Sequence, residues 1–150
     1  MNVEIFYLVN DYLEAERVQE ELAQYGRVKT FNCERDFREA VNKGPLPNLV
    51  VLEEIVRWAY PAPEAPKPPH EVIEGTSLNA GVRCYDFLRK KEGKKSVPVI
   101  FYYDLSSEEI ELALKQRGYN PKNENLHFLS KDNVSFVELR KTFEKIFKSH

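Results

Sequence analysis

Five short apolar runs alternate with amphipathic stretches along the 150 residues, and this alternation limits the possible folds more than any other feature. Residues 3–9 are too β-branched and aromatic to begin a helix, and they have the length of a strand. Asn10-Asp11 ends that run. Ala15, Val18, Leu22 and Tyr25 then recur at helical spacing, with Gly26 as the predicted stop. A short strand over 28–31 and a helix over 34–42 follow, closed by Lys43-Gly44-Pro45. Residues 49–52 carry no polar alternation, as expected of a strand covered on both faces. Beyond them the spacing predicts a helix over 77–91, a strand over 97–102 and a helix over 106–117, opened by a Ser106/Glu109 capping box and closed by Gly118. A strand over 126–129 comes last, before a C-terminal helix whose apolar stripe is Phe136, Leu139, Phe143, Ile146 and Phe147.

Five β-α units in succession, with strands apolar throughout, predict a parallel sheet between two helical layers. Right-handed crossovers leave few topologies, and the commonest for five units is a doubly wound, flavodoxin-like sheet of order 2-1-3-4-5. The whole of 1–150 is expected to form one domain, interrupted by an insertion over 56–76 where the periodicity is lost. Five of the nine prolines fall within 60–69, a density that argues for extended chain instead of helix or sheet. The lone tryptophan, Trp58, together with Tyr60, is expected to anchor this insertion as an ordered loop. His70 and Glu74 share helical spacing, but the second histidine of a zinc helix is missing and a solvated loop is expected there.

Composition excludes several classes of function. Twenty-two basic against 24 acidic residues leave a net charge of -2, so no global field favours a nucleic-acid backbone. No apolar run approaches the roughly 18 residues of a membrane span, and the first residues lack a basic signal-peptide head. Cys33 and Cys84 match no metal or redox spacing and are expected to be free thiols in a cytoplasmic protein.

In a doubly wound sheet, ligands collect at the carboxyl ends of the strands, next to the point where strand order reverses. The residues offered there are Asn10 and Asp11, Glu53 and Glu54, Tyr103 and Asp104, and Ser130, Lys131 and Asp132. Acids facing a lysine suit a phosphoryl group with a divalent metal. Asp11 has a second expected role, a capping box with Glu14 at the start of the first helix. Tyr102 and Tyr103 must point to opposite faces of the sheet.

Four of these segments resemble, in order and spacing, the receiver domain of two-component response regulators. Residues 47–53 are similar to the receiver strand that ends in the phospho-accepting aspartate, and 8–11 to the strand that ends in the metal-binding acid pair. Residues 98–103 resemble the strand that ends in a switch Ser or Thr. Residues 128–131 resemble the strand that carries the invariant lysine, with Phe128 at the switch aromatic. The resemblance makes Glu53 the phospho-acceptor equivalent, Asn10, Asp11 and Glu54 the acid pocket, Tyr103 and Phe128 the switch residues, and Lys131 the lysine.

The chain departs from that pattern where the chemistry lies. Glu53 is one methylene longer than the nucleophilic aspartate, and in-line transfer depends on near-attack geometry. Asn10 removes one carboxylate from a site where Mg²⁺ prefers hard anionic oxygens, leaving Asp11 as a weak metal ligand at most. Tyr103 replaces a small hydroxyl and is expected to fill the phosphoryl space, and Asp132 replaces the proline after the lysine. The expectation is a pseudo-receiver without catalysis or cofactor, in which a Glu53–Lys131 pair holds one state and Asp11 is an alternative partner for the lysine. Its signalling would run through protein contact. The face of the fourth predicted helix, fifth strand and fifth helix is expected to bind a partner or a second copy. It carries Glu108, Glu111, Lys115, Arg117, Lys141 and Lys145. The length leaves no space for an output domain, so a separate partner is expected to carry the effect. The alternatives are a phospho-accepting regulator with an atypical site and a small-ligand-binding flavodoxin-like domain, although no Gly-rich phosphate loop follows the first strand.

Overall fold

The computed structural model describes residues 3–59, 67–75, 79–92, 96–104, 106–123, 125–131 and 136–148, with Phe136 and Lys148 described by backbone alone. The five apolar runs form strands β1 (Glu4–Leu8), β2 (Arg27–Phe31), β3 (Leu49–Glu53), β4 (Val99–Tyr103) and β5 (Leu126–Ser130). All pair in parallel, in the predicted order β2-β1-β3-β4-β5. The helices are α1 (Tyr12–Leu22), α2 (Glu34–Lys43), α3 (His70–Gly75), α4 (Ala80–Glu92), α5 (Glu108–Gln116) and α6 (Phe136–Lys148).

Strand alternation sorts the core into two layers. Ile5, Tyr7, Val28, Leu49, Val51, Ile100 and Tyr102 face α1 and α6, where they meet Ala15, Val18, Leu22, Leu139, Phe143 and Ile146. Phe6, Leu8, Phe31, Val50, Leu52, Val99 and Phe101 face the opposite way, onto side chains of α2, α4 and α5. Every residue of β3 is buried, consistent with its lack of polar alternation. No helix among the described residues is long and apolar enough to cross a membrane.

Several local expectations are corrected. α3 lies inside the insertion, although the proline density argued against a helix there. A proline lacks only an N–H that the first helical turn leaves unpaired anyway, so the Pro69 carbonyl can start the helix by accepting from Val72 and Ile73 (2.9 and 3.2 Å). On α3, His70 Nε2 lies 2.9 Å from Glu74, and among the described residues no three His, Cys, Asp or Glu side chains converge as a metal site. Tyr60 and the prolines of 60–66 lie outside the described residues, as do Ser77 and Asp132. α1 ends at Leu22, capped by Ala23, so Gly26 does not terminate it. A Cβ at Gly26 would collide with the Val3 carbonyl, and this close approach is what requires glycine there. The Ser106/Glu109 box does not form. The N-cap is Ser107, and Ser106 Oγ accepts from the Glu108 N–H (3.1 Å) in the turn ahead of it. Cys33 and Cys84 are free and buried, and burial pushes both thiols up.

Candidate functional site: a closed charge pair at the strand ends

β3 is the central strand and its last residue is Glu53, so the fold carries a carboxylate into the middle of the sheet's C-terminal edge. Glu53 is only 5% exposed. Its Oε2 accepts from Lys131 Nζ at 2.7 Å and from the Tyr7 hydroxyl at 2.8 Å, and its Oε1 accepts from the Asn10 backbone N–H at 3.3 Å. Both oxygens are therefore engaged by this chain's own donors.

Register explains the Tyr7 contact. Tyr7 pairs with Val51, so Glu53 lies two residues further along on the same face, a span of about 6.6 Å that a tyrosine lying along the sheet can cover. Burial, then the negative charges of Glu53 and Glu14, push the Tyr7 phenol far above its ordinary range, which keeps it a neutral donor. Lys131 is held by its own backbone, whose N–H donates to the Tyr103 carbonyl (2.8 Å) and continues the β4–β5 ladder beyond Ser130. Its ammonium also reaches Glu14 on α1 (3.0 Å) and lies 5.2 Å from the centre of the Tyr102 ring. Burial lowers the Lys131 pKa, but the two carboxylates outweigh burial and raise it overall. For Glu53 burial dominates and raises the carboxyl, with Lys131 opposing it.

The other expected site residues divide between this cluster and its surroundings. Asp11 caps α1, its Oδ1 accepting from the N–H groups of Leu13 (2.9 Å) and Glu14 (3.4 Å). Glu14 does not complete a capping box but turns to Lys131. Asn10 Oδ1 accepts from Arg57 Nε at 3.3 Å. Glu54 is half-buried just past the end of β3. Burial and the charges of Glu109 and Asp104 raise its carboxyl. Alternation along β4 puts the Tyr102 ring beside Lys131, while Tyr103 packs half-buried on the α2/α4/α5 side with Phe128. The ring expected against the site from Tyr103 is thus contributed by its neighbour, and Phe128 stacks on Phe101 at 5.7 Å. Gly81, at the start of α4, lies so close to the Glu53 carbonyl that any Cβ would collide with it, which seats α4 against the end of β3.

Sequence reasoning missed Tyr7, Glu14 and Arg57. A phenol in the middle of an otherwise apolar buried strand was the one available signal, because a buried hydroxyl needs a partner. It also missed a second buried cluster. Glu34, fully buried, receives Arg83 Nη2 (2.8 Å) and Arg38 Nη2 (2.7 Å), and Arg38 continues to Glu71 on α3 (2.7 Å).

The divalent cation implied by the receiver resemblance does not fit these donors. The Asn10 amide oxygen is taken by Arg57, Asp11 Oδ1 by the helix cap, and the Glu53 carboxylate by Tyr7, Lys131 and the Asn10 N–H. Mg²⁺ prefers near-ideal octahedral geometry from hard oxygens, and here those oxygens already serve fixed donors.

No protein-family model matches the chain, and no curated protein matches it. Solved structures do. The chain superposes on the response regulator DrrB of Thermotoga maritima, an OmpR/PhoB homologue, with a TM-score of 0.64 at 20% identity, over 99% of this chain and 54% of DrrB. It therefore spans about half of that protein. A response regulator receiver protein from Sinorhizobium medicae matches with a TM-score of 0.66 at 14% identity, over 98% of this chain and 95% of its own. The beryllofluoride-activated receiver domain of DrrB matches at 0.59 and 20% identity, over 96% and 99%. The chain has the receiver fold.

Proposed function

We propose that this chain is a receiver-like signalling module that works by protein contact and accepts no phosphoryl group at the β3 end. The observation that carries the reading is the engagement of Glu53: its carboxylate, at the phospho-acceptor position, is bound by Lys131, Tyr7 and the Asn10 N–H. In-line attack needs a carboxylate free to turn a lone pair toward the phosphodonor, and three of the roughly four lone-pair sites here are occupied, two of them at 2.7 and 2.8 Å, so Glu53 is held in one orientation. The longer Glu53 side chain carries a negative charge out to Lys131, so the lysine is satisfied without phosphate and the domain rests in one state. On this reading the module is cytoplasmic and catalyses no reaction.

The partner surface we propose is formed by α5, β5 and α6. Glu108, Lys115, Lys141 and Lys145 are exposed there, as is the apolar side chain of Leu112, at 57%. Arg117 is less available than its sequence position implied, because it pairs with Asp86 of α4 at 3.1 Å. A second copy of the chain or a separate effector would be selected by charge complementarity over this face.

Incubation with Mg²⁺ and acetyl phosphate, or with beryllofluoride, is expected to leave the intact mass and the amide NMR spectrum unchanged. A phospho-adduct mapped to Glu53 or Glu54 would overturn the reading.

A further inference from the structure

We propose that the outer edge of β2, with the trough between β2 and α2, is a second docking surface whose occupant is an extended peptide segment carrying one acidic side chain. This edge lies across the sheet from β5, so the inference does not depend on the reading of Glu53 or of the α5/β5/α6 face.

β2 pairs with β1 on one side and ends the sheet on the other. Arg27 N–H donates to the Val3 carbonyl (2.8 Å), and Val9 N–H donates to the Phe31 carbonyl (2.9 Å). Residues 27, 29 and 31 therefore turn their backbone groups toward β1, and in a parallel strand the alternate residues turn theirs outward. Those are Val28 and Thr30. Gln19 Nε2 of α1 donates to the Val28 carbonyl at 3.4 Å. Among the described residues nothing bonds the Val28 N–H or either backbone group of Thr30. Such an edge can take a further strand.

The side chains beside this edge leave space for one. Alternation puts Arg27, Lys29 and Phe31 on the α2 side, and of these only Phe31 joins the core layer there. Opposite them α2 presents the small Ala40. A cavity of about 430 Å³ remains, lined by Glu4, Phe6, Arg27, Lys29, Ala40 and Lys43 among others. A second, of about 310 Å³, adjoins it and shares Lys29, Ala40 and Lys43. A strand added to β2 at the ordinary spacing of about 4.8 Å directs every second side chain into this trough.

Charge selects the occupant. Glu4 is the one acid of the larger cavity and lies 3.8 Å from Arg27, whereas Lys29 and Lys43 have no carboxylate partner among the described residues. Asp36 and Glu39 line the smaller cavity, where Glu39 pairs with Arg35 at 3.5 Å. The trough thus suits one carboxylate between Lys29 and Lys43 with uncharged side chains around it, and disfavours a run of acids. A second copy is a poor occupant, because antiparallel pairing of two β2 edges brings their Arg27 and Lys29 side chains together.

The probe is the capped heptapeptide Thr-Thr-Val-Glu-Val-Thr-Thr, titrated into the ¹⁵N-labelled full chain. Saturable shifts are expected at the amide cross-peaks of Val28 and Thr30. Changing the peptide's glutamate to lysine is expected to weaken binding roughly tenfold or more. N-methylation of its internal amides is expected to abolish binding. Lys29→Gln/Lys43→Gln alters two exposed side chains and is expected to weaken binding about fivefold or more, with a melting temperature that shows the variant to be folded. Absence of saturable binding, unchanged affinity in that folded variant, or shifts confined to other strands overturns the inference. Glutarate that saturates the same cross-peaks at the same concentrations would mark a small-anion site, and shifts that grow with protein concentration alone would mark self-pairing. Either result also overturns it, and none of them touches the phosphorylation test.

Discussion

Replacing Arg83 by methionine is expected to lower the unfolding free energy by about 3–5 kcal/mol, because it leaves the carboxylate of Glu34 buried and half-compensated. Glu34 is fully buried and Arg83 is 2% exposed. The pair is bidentate, with Arg83 Nε 3.1 Å and Nη2 2.8 Å from the carboxylate oxygens, and Arg38 adds a second guanidinium. At about 2–4 °C per kcal/mol for a domain of this size, the melting temperature should fall by roughly 6–20 °C. The exposed end of the same network behaves differently. The Glu71 side chain is 43% exposed, so Glu71→Ala is expected to cost no more than about 1 kcal/mol even though its bond to Arg38 is equally short. Denaturant melts with unchanged slope would establish both values, and a cost below about 1 kcal/mol for Arg83→Met would show that Glu34 finds other solvation. The network also ties the insertion to the domain, since it runs from α4 through α2 to α3.

The sheet was legible because its signal is local. Runs such as 49–52 state in their own composition that both faces are covered, and β-α alternation with right-handed crossovers fixes the rest. The short helix α3 was hidden by a rule applied too broadly: proline density excludes a helix interior but suits a helix start. The residues around Glu53 were partly legible, since Asn10, Glu53 and Lys131 all lie at or just beyond the ends of strands. Tyr7, Glu14 and Arg57 were not, because their contacts join positions 46, 117 and 47 residues apart and depend on strand register and on where α1 packs. The pairing of Glu34 with Arg83 was illegible for the same reason. On a helical wheel, Glu34 of a polar-rich helix reads as solvated, and only the packing of α2 against α4 buries it.

The charge pair at the end of β3 gives the other large expected effect, and its pH dependence identifies the group responsible. Lys131→Met removes the cation and leaves Glu53 with Tyr7 and the Asn10 N–H, at an expected cost of about 3–5 kcal/mol at neutral pH. Burial raises the Glu53 carboxyl above its ordinary 4.5, and the variant loses Lys131, the main influence that opposes the rise, keeping only the smaller one of the Tyr7 hydrogen bond. A carboxyl whose folded pKa lies above its unfolded one contributes stability that is fully present below the unfolded value and is lost as pH climbs through the folded one. The deficit of Lys131→Met relative to wild type should therefore be small near pH 4.5 and grow toward pH 8. In the wild type the lysine's own contribution runs to higher pH: its folded pKa is raised, so that stability persists up to 10.5 and is lost above it. Glu53→Gln/Lys131→Met leaves no buried charge in the pair: its amide oxygen can accept from the Asn10 N–H, and its NH₂ can donate to the Tyr7 hydroxyl, which turns to accept. It should recover most of the lost stability and show no such pH dependence. Glu14, 25% exposed at its side chain, can return to water when Lys131 is removed, so it does not account for a large deficit. Denaturant melts of the wild type, Glu53→Gln, Lys131→Met and the double variant between pH 4.5 and pH 8 make the comparison. A deficit in Lys131→Met that stays constant over that range would mean that the lysine acts through packing, and that Glu53 is not the buried charge it balances.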